Sequence, residues 1–179
     1  FIVSSDKDFL QLVSENVIVY RPMEKEYYTP KTVIDKYKIS PHNFILHKTL
    51  LGDNSDKIKG VKGLGEKGLL KKFPELIEKN LDWNDILDIC ENKMSDHAVY
   101  ARIIHGQSDL EKNYKIMDLS NPMLSKEDKE WLDGVVSSKD LSYYPDQFVS
   151  MYNEDQIGGL IRNVEFWVKD CFQNLVSKD

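Results

Sequence analysis

The sequence is poor in cysteine. Only Cys90 and Cys171 occur among 179 residues, far apart and in no C-x-x-C pair. That excludes a disulfide framework and points to a reducing, cytoplasmic setting. Long apolar runs are missing too. No stretch of about 18 apolar residues exists, so no membrane-spanning helix and no membrane partner are expected. No basic segment leads into a short apolar one, so no secretory leader is read. His42, His47, His97 and His105 form no H-E-x-x-H or other ligand-spaced set with the cysteines, and no G-x-S-x-G occurs. Zinc sites and serine acyl transfer thus lack their usual signatures. There is no internal repeat and no low-complexity stretch. Positive charge is in deficit, with 24 Lys and Arg against 30 Asp and Glu and a net charge of −6. A protein coated in nucleic acid is disfavoured by that total.

The charge that is present is unevenly placed. Residues 57–72 (KIKGVKGLGEKGLLKK) carry six lysines and one glutamate, a net +5 on a chain whose other residues sum to −11. A local basic patch on an acidic body says more about partners than the total does. The apolar fraction of 41% supports a real core. The chain opens on Phe1-Ile2-Val3, without methionine. This short apolar run reads as the middle of a buried parallel strand, so further residues upstream are expected.

Punctuation along the chain predicts an α/β fold that is mostly α. Residues 1–5 read as a strand. Residues 6–14 read as a helix that Asp6 can cap, 16–20 as a second strand and 25–28 as a third, short one. Thr29-Pro30 opens a helix through Tyr37. Ser40-Pro41 opens another through Leu51, where Gly52 ends it. Further helices are expected at 67–72, 74–79, 84–92, 95–105, 125–132 and 155–177. In the last, Ile157, Leu160, Ile161, Val164, Val168, Cys171 and Leu175 make one stripe at helical spacing, which reads as core. The expected division is residues 1–40, the C-terminal end of a parallel α/β core, followed by residues 41–179, a helical region.

The stretch DNSDKIKGVKGLGEKG, residues 53–68, contains GLGEKG, a formal match to G-x-G-x-x-G. A dinucleotide site needs a strand running into the first glycine, and the charged, glycine-broken residues 56–62 do not provide one. A P-loop fails because Glu66 stands where lysine is required. An EF-hand starting at Asp53 fails because Lys57 and Ile58 occupy its fifth and sixth positions. Nucleic acid fits better. Gly63 and Gly65 can take positive φ and let backbone N–H groups approach a phosphate, while Lys62 and Lys67 neutralise its charge. A helix opening near Glu66 or Lys67 would aim its first amides at the same anion. The plain alternative is a solvated turn joining two helices.

Two acidic pairs flank this loop. Asp6-x-Asp8 follows the first strand, at the end where open α/β sheets place ligands. Asp53-x-x-Asp56 precedes the basic turn. Clustered carboxylates repel unless a cation neutralises them. Hard ions such as Mg²⁺ accept all-oxygen ligands, and pairs of them hydrolyse phosphodiesters. Taken singly, Asp6 serves equally well as a helix cap, and Asp53 and Asp56 as solvated loop residues.

SSDKDFLQLV resembles the T/S-x-D-x-D-x-x-Q-L segment of the 5′-nuclease (5′-3′ exonuclease and flap endonuclease) superfamily. LGDNSDKIKGVKGLGEKG resembles its G-D-x-x-D-N-I-x-G-V-x-G-I-G-x-K segment, which carries a helix–three-turn–helix element, here about residues 50–75. EKNYKIMDLSNP (111–122) is similar to a later N-x-x-L-x-D-L-x-x-x-P stretch. The helical C-terminal region looks most like the ribonuclease H of T-even phages, which removes RNA primers. The resemblance implies the C-terminal end of a parallel α/β nuclease core followed by helices, and a divalent-metal-dependent, structure-specific 5′ nuclease of DNA replication or repair. It implies that Asp6 contributes to a first metal, directly or through water. Asp8, Asp53 and Asp56 would form the shell of a second. Gly60, Val61, Lys62, Gly63, Gly65 and Lys67 would grip duplex DNA. The resemblance further implies two Mg²⁺ or Mn²⁺ ions in the complete enzyme and a K⁺ ion at the hairpin, as in many relatives. Implied partners are 5′-flap or nicked duplex and RNA–DNA hybrid, with a single-strand-binding protein or sliding clamp as protein partners of a monomer. The family's other metal-binding acids, including an E-x-D-D segment, and its helical arch have no counterpart in this sequence. Half an active site is therefore expected, on a chain that binds duplex DNA. A non-catalytic duplex-binding module is the alternative.

Overall fold

The computed structural model describes residues 1–138, 144–156 and 159–172. Strands β1 (Ile2–Val3) and β2 (Val19–Arg21) pair in parallel, with Ile2 opposite Val19. Strand β3 (Glu26–Tyr28) adds antiparallel to β2, giving the order β1-β2-β3. Asp6 caps a 3₁₀ helix, Lys7–Leu12, that crosses from β1 towards β2. Thr29 caps α1 (Pro30–Tyr37) through the Thr32 amide, with proline at the first helical position as the sequence requires. A 3₁₀ turn, Pro41–Asn43, leads into α2 (Phe44–Leu51). The Asn43 side chain sets that entry, donating to the Leu76 and Lys79 carbonyls at 2.7 and 2.6 Å.

Helix α2 is the hub. Phe44, Ile45, Leu46, Thr49 and Leu50 are all buried, so it is apolar nearly all round, as a central helix must be. It runs into a two-stranded hairpin, β4 (Gly52–Asp53) and β5 (Ile58–Lys59). Strands of two residues are too short to carry a periodicity that sequence patterning can detect. Then come α3 (Glu66–Lys72), α4 (Glu75–Glu78), α5 (Trp83–Asn92), α6 (Ala98–His105) and α7 (Gln107–Met117). Helix α5 has a full capping box between Asp82 and Asp85. One contiguous core joins sheet and helices, from Leu10 and Val19 through Leu46 and Leu50 to Phe73, Ile103 and Met117. These elements make one compact unit, Phe1–Met123.

A second compact unit begins at Leu124. It holds α8 (Lys126–Ser137), α9 (Pro145–Glu154) and α10 (Val164–Phe172). The long stripe expected over 155–177 is corrected. Helix α10 starts only at Val164, Leu160 is 83% exposed and Cys171 is exposed, while Val168 alone of the stripe's described members is buried. Helical spacing predicts a face but not what covers it. Ile157 and Leu175 lie outside the described residues. No helix among the described residues is long and apolar enough to cross a membrane.

Candidate active site and nucleic-acid turn

The C-terminal ends of β1 and β2, the start of α2's hairpin and the wall of α1 enclose a cavity of about 670 Å³. All four predicted acids, Asp6, Asp8, Asp53 and Asp56, line it, with Arg21 and Lys48. The structure thus brings together carboxylates 45 residues apart in sequence.

Their circumstances differ. Asp6 is exposed, and its Oδ1 accepts the Asp8 amide at 2.9 Å, so its capping role is real. Asp8 and Asp53 converge on one cation, the ammonium of Lys48. That ammonium lies 2.7 Å from Asp53 Oδ2 and also contacts Asp8 Oδ1. Asp53 further accepts the Ser55 amide at 2.8 Å and the Ser55 hydroxyl. The Lys48 bond first, and the Ser55 bonds after it, hold the Asp53 carboxyl well below the usual carboxylate range. Asp56 is exposed and holds no hydrogen bond or ion pair among the described residues.

No motif in the sequence singles out Lys48. Its signal is a single lysine inside the apolar helix FILHKTLL, where a charge survives burial only if paired. The donor chemistry suits a hard divalent ion: carboxylate oxygens from two segments surround one positive charge. The shell is partial, because among the described residues no group of three or more His, Cys, Asp or Glu side chains is placed to hold a metal ion.

His47 forms part of the cavity wall, stacked on Phe44 at 5.6 Å and edge-on to Tyr37 at 6.4 Å. Its Nδ1 is buried with no hydrogen-bond partner among the described residues. Burial pushes its pKa down and Lys7 adds to this, with Glu66 opposing. A depressed histidine contributes stability above its unfolded pKa, near 6.5, that is lost as pH falls through the folded one. Thermal stability should therefore drop between pH 7 and 5, and His47→Phe, which keeps the stacking, should flatten that slope. Equal slopes in a melting series would refute this. Cys90 is buried, and burial pushes its thiol up to about 12, which removes it as a nucleophile.

The glycine turn follows β5 directly. Val61 and Leu64 are buried and anchor it, and the Val61 amide donates to the Leu50 carbonyl at 2.8 Å. Arg102 of α6 donates to the Lys62 carbonyl at 2.9 Å, so it serves the turn's backbone. Lys112 pairs instead with Asp109. Gly63 takes φ 78°, as expected. Gly65 does not: its φ is −111° and a Cβ there would meet nothing within 4 Å. Lys62 and Lys67 are exposed and have no ion pair among the described residues. A smaller cavity of about 210 Å³ shares the Tyr37, His47 and Glu66 wall and is lined by Lys67 and Lys38 on its other side. Lys57 sits in the hairpin at φ 59°, a left-handed conformation that costs an L side chain about 1–2 kcal/mol. Lys57→Gly should raise stability by about 0.5 kcal/mol, read from thermal melts, whereas a loss would show that the side chain holds the hairpin.

The 5′-3′ exonuclease of Aquifex aeolicus is 35% identical over 133 residues, covering 71% of this chain and 42% of that protein. That of Buchnera aphidicola is 42% identical over 88 residues, covering 48% of this chain and 30% of its own. These relatives support a place for the chain in the 5′-3′ exonuclease and flap endonuclease superfamily. It spans less than half the length of these relatives. DNA polymerase I of Bacillus subtilis matches over 88 residues at 41% identity, 45% of this chain and 10% of that one. No family model matches the chain. Among solved structures, bacteriophage T5 flap endonuclease in complex with DNA and metal ions shares the fold. Its TM-score is 0.54 at 21% identity, covering 65% of this chain and 42% of that one. A structure of T5 5′-exonuclease with zinc bound matches with a TM-score of 0.54 at 22% identity, covering 65% of this chain and 42% of that one.

Proposed function

We propose that the chain is part of a divalent-metal-dependent 5′ nuclease that acts on 5′-flap or nicked duplex DNA and on RNA–DNA hybrid. One observation carries this reading: Asp8 and Asp53 meet on a single cation in a cavity that adjoins a lysine-bearing glycine turn. Asp8, Asp53 and Asp56 would hold one ion and Asp6 would contribute to another, Mg²⁺ or Mn²⁺ in each case. Such ions supply an activated water and offset the charge that builds on phosphate. The chain's own residues do the rest. Residues 50–75 act as a helix–three-turn–helix element, with Gly60, Val61, Gly63 and Gly65 shaping the turn, whose carbonyls are candidate ligands for K⁺. Lys62 and Lys67 contact phosphates and not bases. Residues 1–40 serve as the end of the metal-binding core and residues 41–179 as the helical region. A cytoplasmic monomer meeting a single-strand-binding protein or sliding clamp is the matching setting.

The partial carboxylate shell favours a second reading for the chain by itself: a duplex-DNA-binding module without activity. In the complete protein, Asp8→Ala or Asp56→Ala should abolish cleavage while duplex binding persists. Loss of binding with cleavage retained would refute the assignment. Lys62→Ala and Lys67→Ala should each weaken duplex binding whatever the sequence, and each should lower the salt slope by about 0.9. Titrations of affinity against salt read this directly, and an unchanged slope would remove these lysines from the interface.

A further inference from the structure

Two buried side chains hold the Ser5–Asp8 segment, where β1 gives way to the 3₁₀ helix, from opposite ends. Arg21, at the end of β2, is 5% exposed. Its Nη2 donates to the Ser5 carbonyl at 2.6 Å, and its Nη1 pairs with Glu24 at 2.8 Å. The guanidinium also lies over the Tyr28 ring, 5.7 Å from its centre. Its Nε is buried with no hydrogen-bond partner among the described residues. Gln11 is 8% exposed, and its Nε2 donates to the carbonyls of Asp8 and Met117, each at 3.0 Å. Its Oε1 accepts the Leu119 amide at 3.0 Å.

Arg21 grips the Ser5 carbonyl with Nη2 and the Glu24 carboxylate with Nη1, while Gln11 bridges the Asp8 and Met117 carbonyls with Nε2 and holds the Leu119 amide with Oε1. Arg21 ties the residue before Asp6 to β2. Gln11 ties Asp8 itself to the end of α7, within the 111–122 segment for which the site had supplied no role. Burying a guanidinium with one N–H unsatisfied is costly, and closing a short loop does not require it. The bonds end on main-chain carbonyls, which leaves the Asp6 and Asp8 carboxylates on the cavity.

We propose that Arg21 and Gln11 are positioning residues that fix the Asp6–Asp8 loop in the geometry a divalent cation requires. This rests on the metal-binding reading of the site. Groups that orient ligands commonly change metal affinity by 10- to 100-fold when lost.

The test is a Mn²⁺ titration of the 179-residue chain, followed by the spectroscopic signal of free Mn²⁺ well below each variant's melting temperature. The variants are Gln11→Met, Gln11→Glu, Arg21→Met and Arg21→Lys, with Asp8→Asn as the ligand-loss control. Wild type should bind and Asp8→Asn should not. Gln11→Met and Arg21→Met should weaken binding about tenfold. Arg21→Lys keeps one donor for the Ser5 carbonyl and should recover part of the loss. It also stands in if Arg21→Met fails to fold, beside the Gln11 variants. Lower melting temperatures with unchanged Mn²⁺ affinity would overturn the positioning role alone. Mn²⁺ affinity that is absent from wild type, or indifferent to Asp8→Asn, would overturn the metal reading and this inference with it.

Discussion

Gly60→Ala should cost at least about 3 kcal/mol and lower the melting temperature by roughly 10 °C. A Cβ at Gly60 would lie 2.1 Å from the Leu51 carbonyl carbon and 2.4 Å from the Gly52 nitrogen. These are backbone atoms, which cannot swing aside as a flexible side chain does. Room could come only from parting the end of α2 from the hairpin, and that would break the Gly52–Lys59 pairing beside Asp53. The same movement would release Val61 from Leu50, so duplex binding should fall with stability. Gly65→Ala is the control. It meets open space at an ordinary φ and should change stability by less than about 1 kcal/mol. Similar losses in both variants would show that the clash at Gly60 is relieved elsewhere.

Lys48→Met should destabilise the chain by about 1–3 kcal/mol at pH 7, below the range for a fully buried pair because the cavity is open to water. Without the ammonium, Asp8 and Asp53 face each other as like charges, and the Asp53 carboxyl rises from its depressed value. The pH dependence should change accordingly. In wild type, a depressed Asp53 adds stability above its unfolded pKa, near 3.9, that is lost as pH falls towards its folded one. In the variant that acid limb should flatten, because protonation now relieves repulsion. Added Mg²⁺ should stabilise the variant more than wild type, since the ion no longer competes with a resident charge. Equal Mg²⁺ effects on the two melting temperatures would place the ion away from Asp8 and Asp53.

The acids and the glycine turn were legible in the sequence because each pairs a residue type with a location, a strand end or a break in a helix. Their grouping in one cavity was legible only through resemblance. Lys48 carried a signal, a single lysine in an apolar helix, but helical spacing does not say which acids it meets. Gln11 stood in plain view inside the acid motif, yet its partners Met117 and Leu119 lie more than 100 residues away, beyond any local rule. Helix α9 had its proline signal at Pro145 and α7 had Leu110, Tyr114 and Met117 at helical spacing, but dense polar residues masked both.

The most direct test places the chain on a 5′-labelled flap duplex with Mg²⁺ and then Mn²⁺, reading binding and cleavage from the same samples. Binding without cleavage is the predicted result: the turn grips phosphates, and the carboxylates present make only part of a two-ion site. Cleavage that Asp56→Asn abolishes would contradict the partial site, because four aspartates would then suffice. Absence of both binding and cleavage would reduce the glycine turn to a solvated connection between helices.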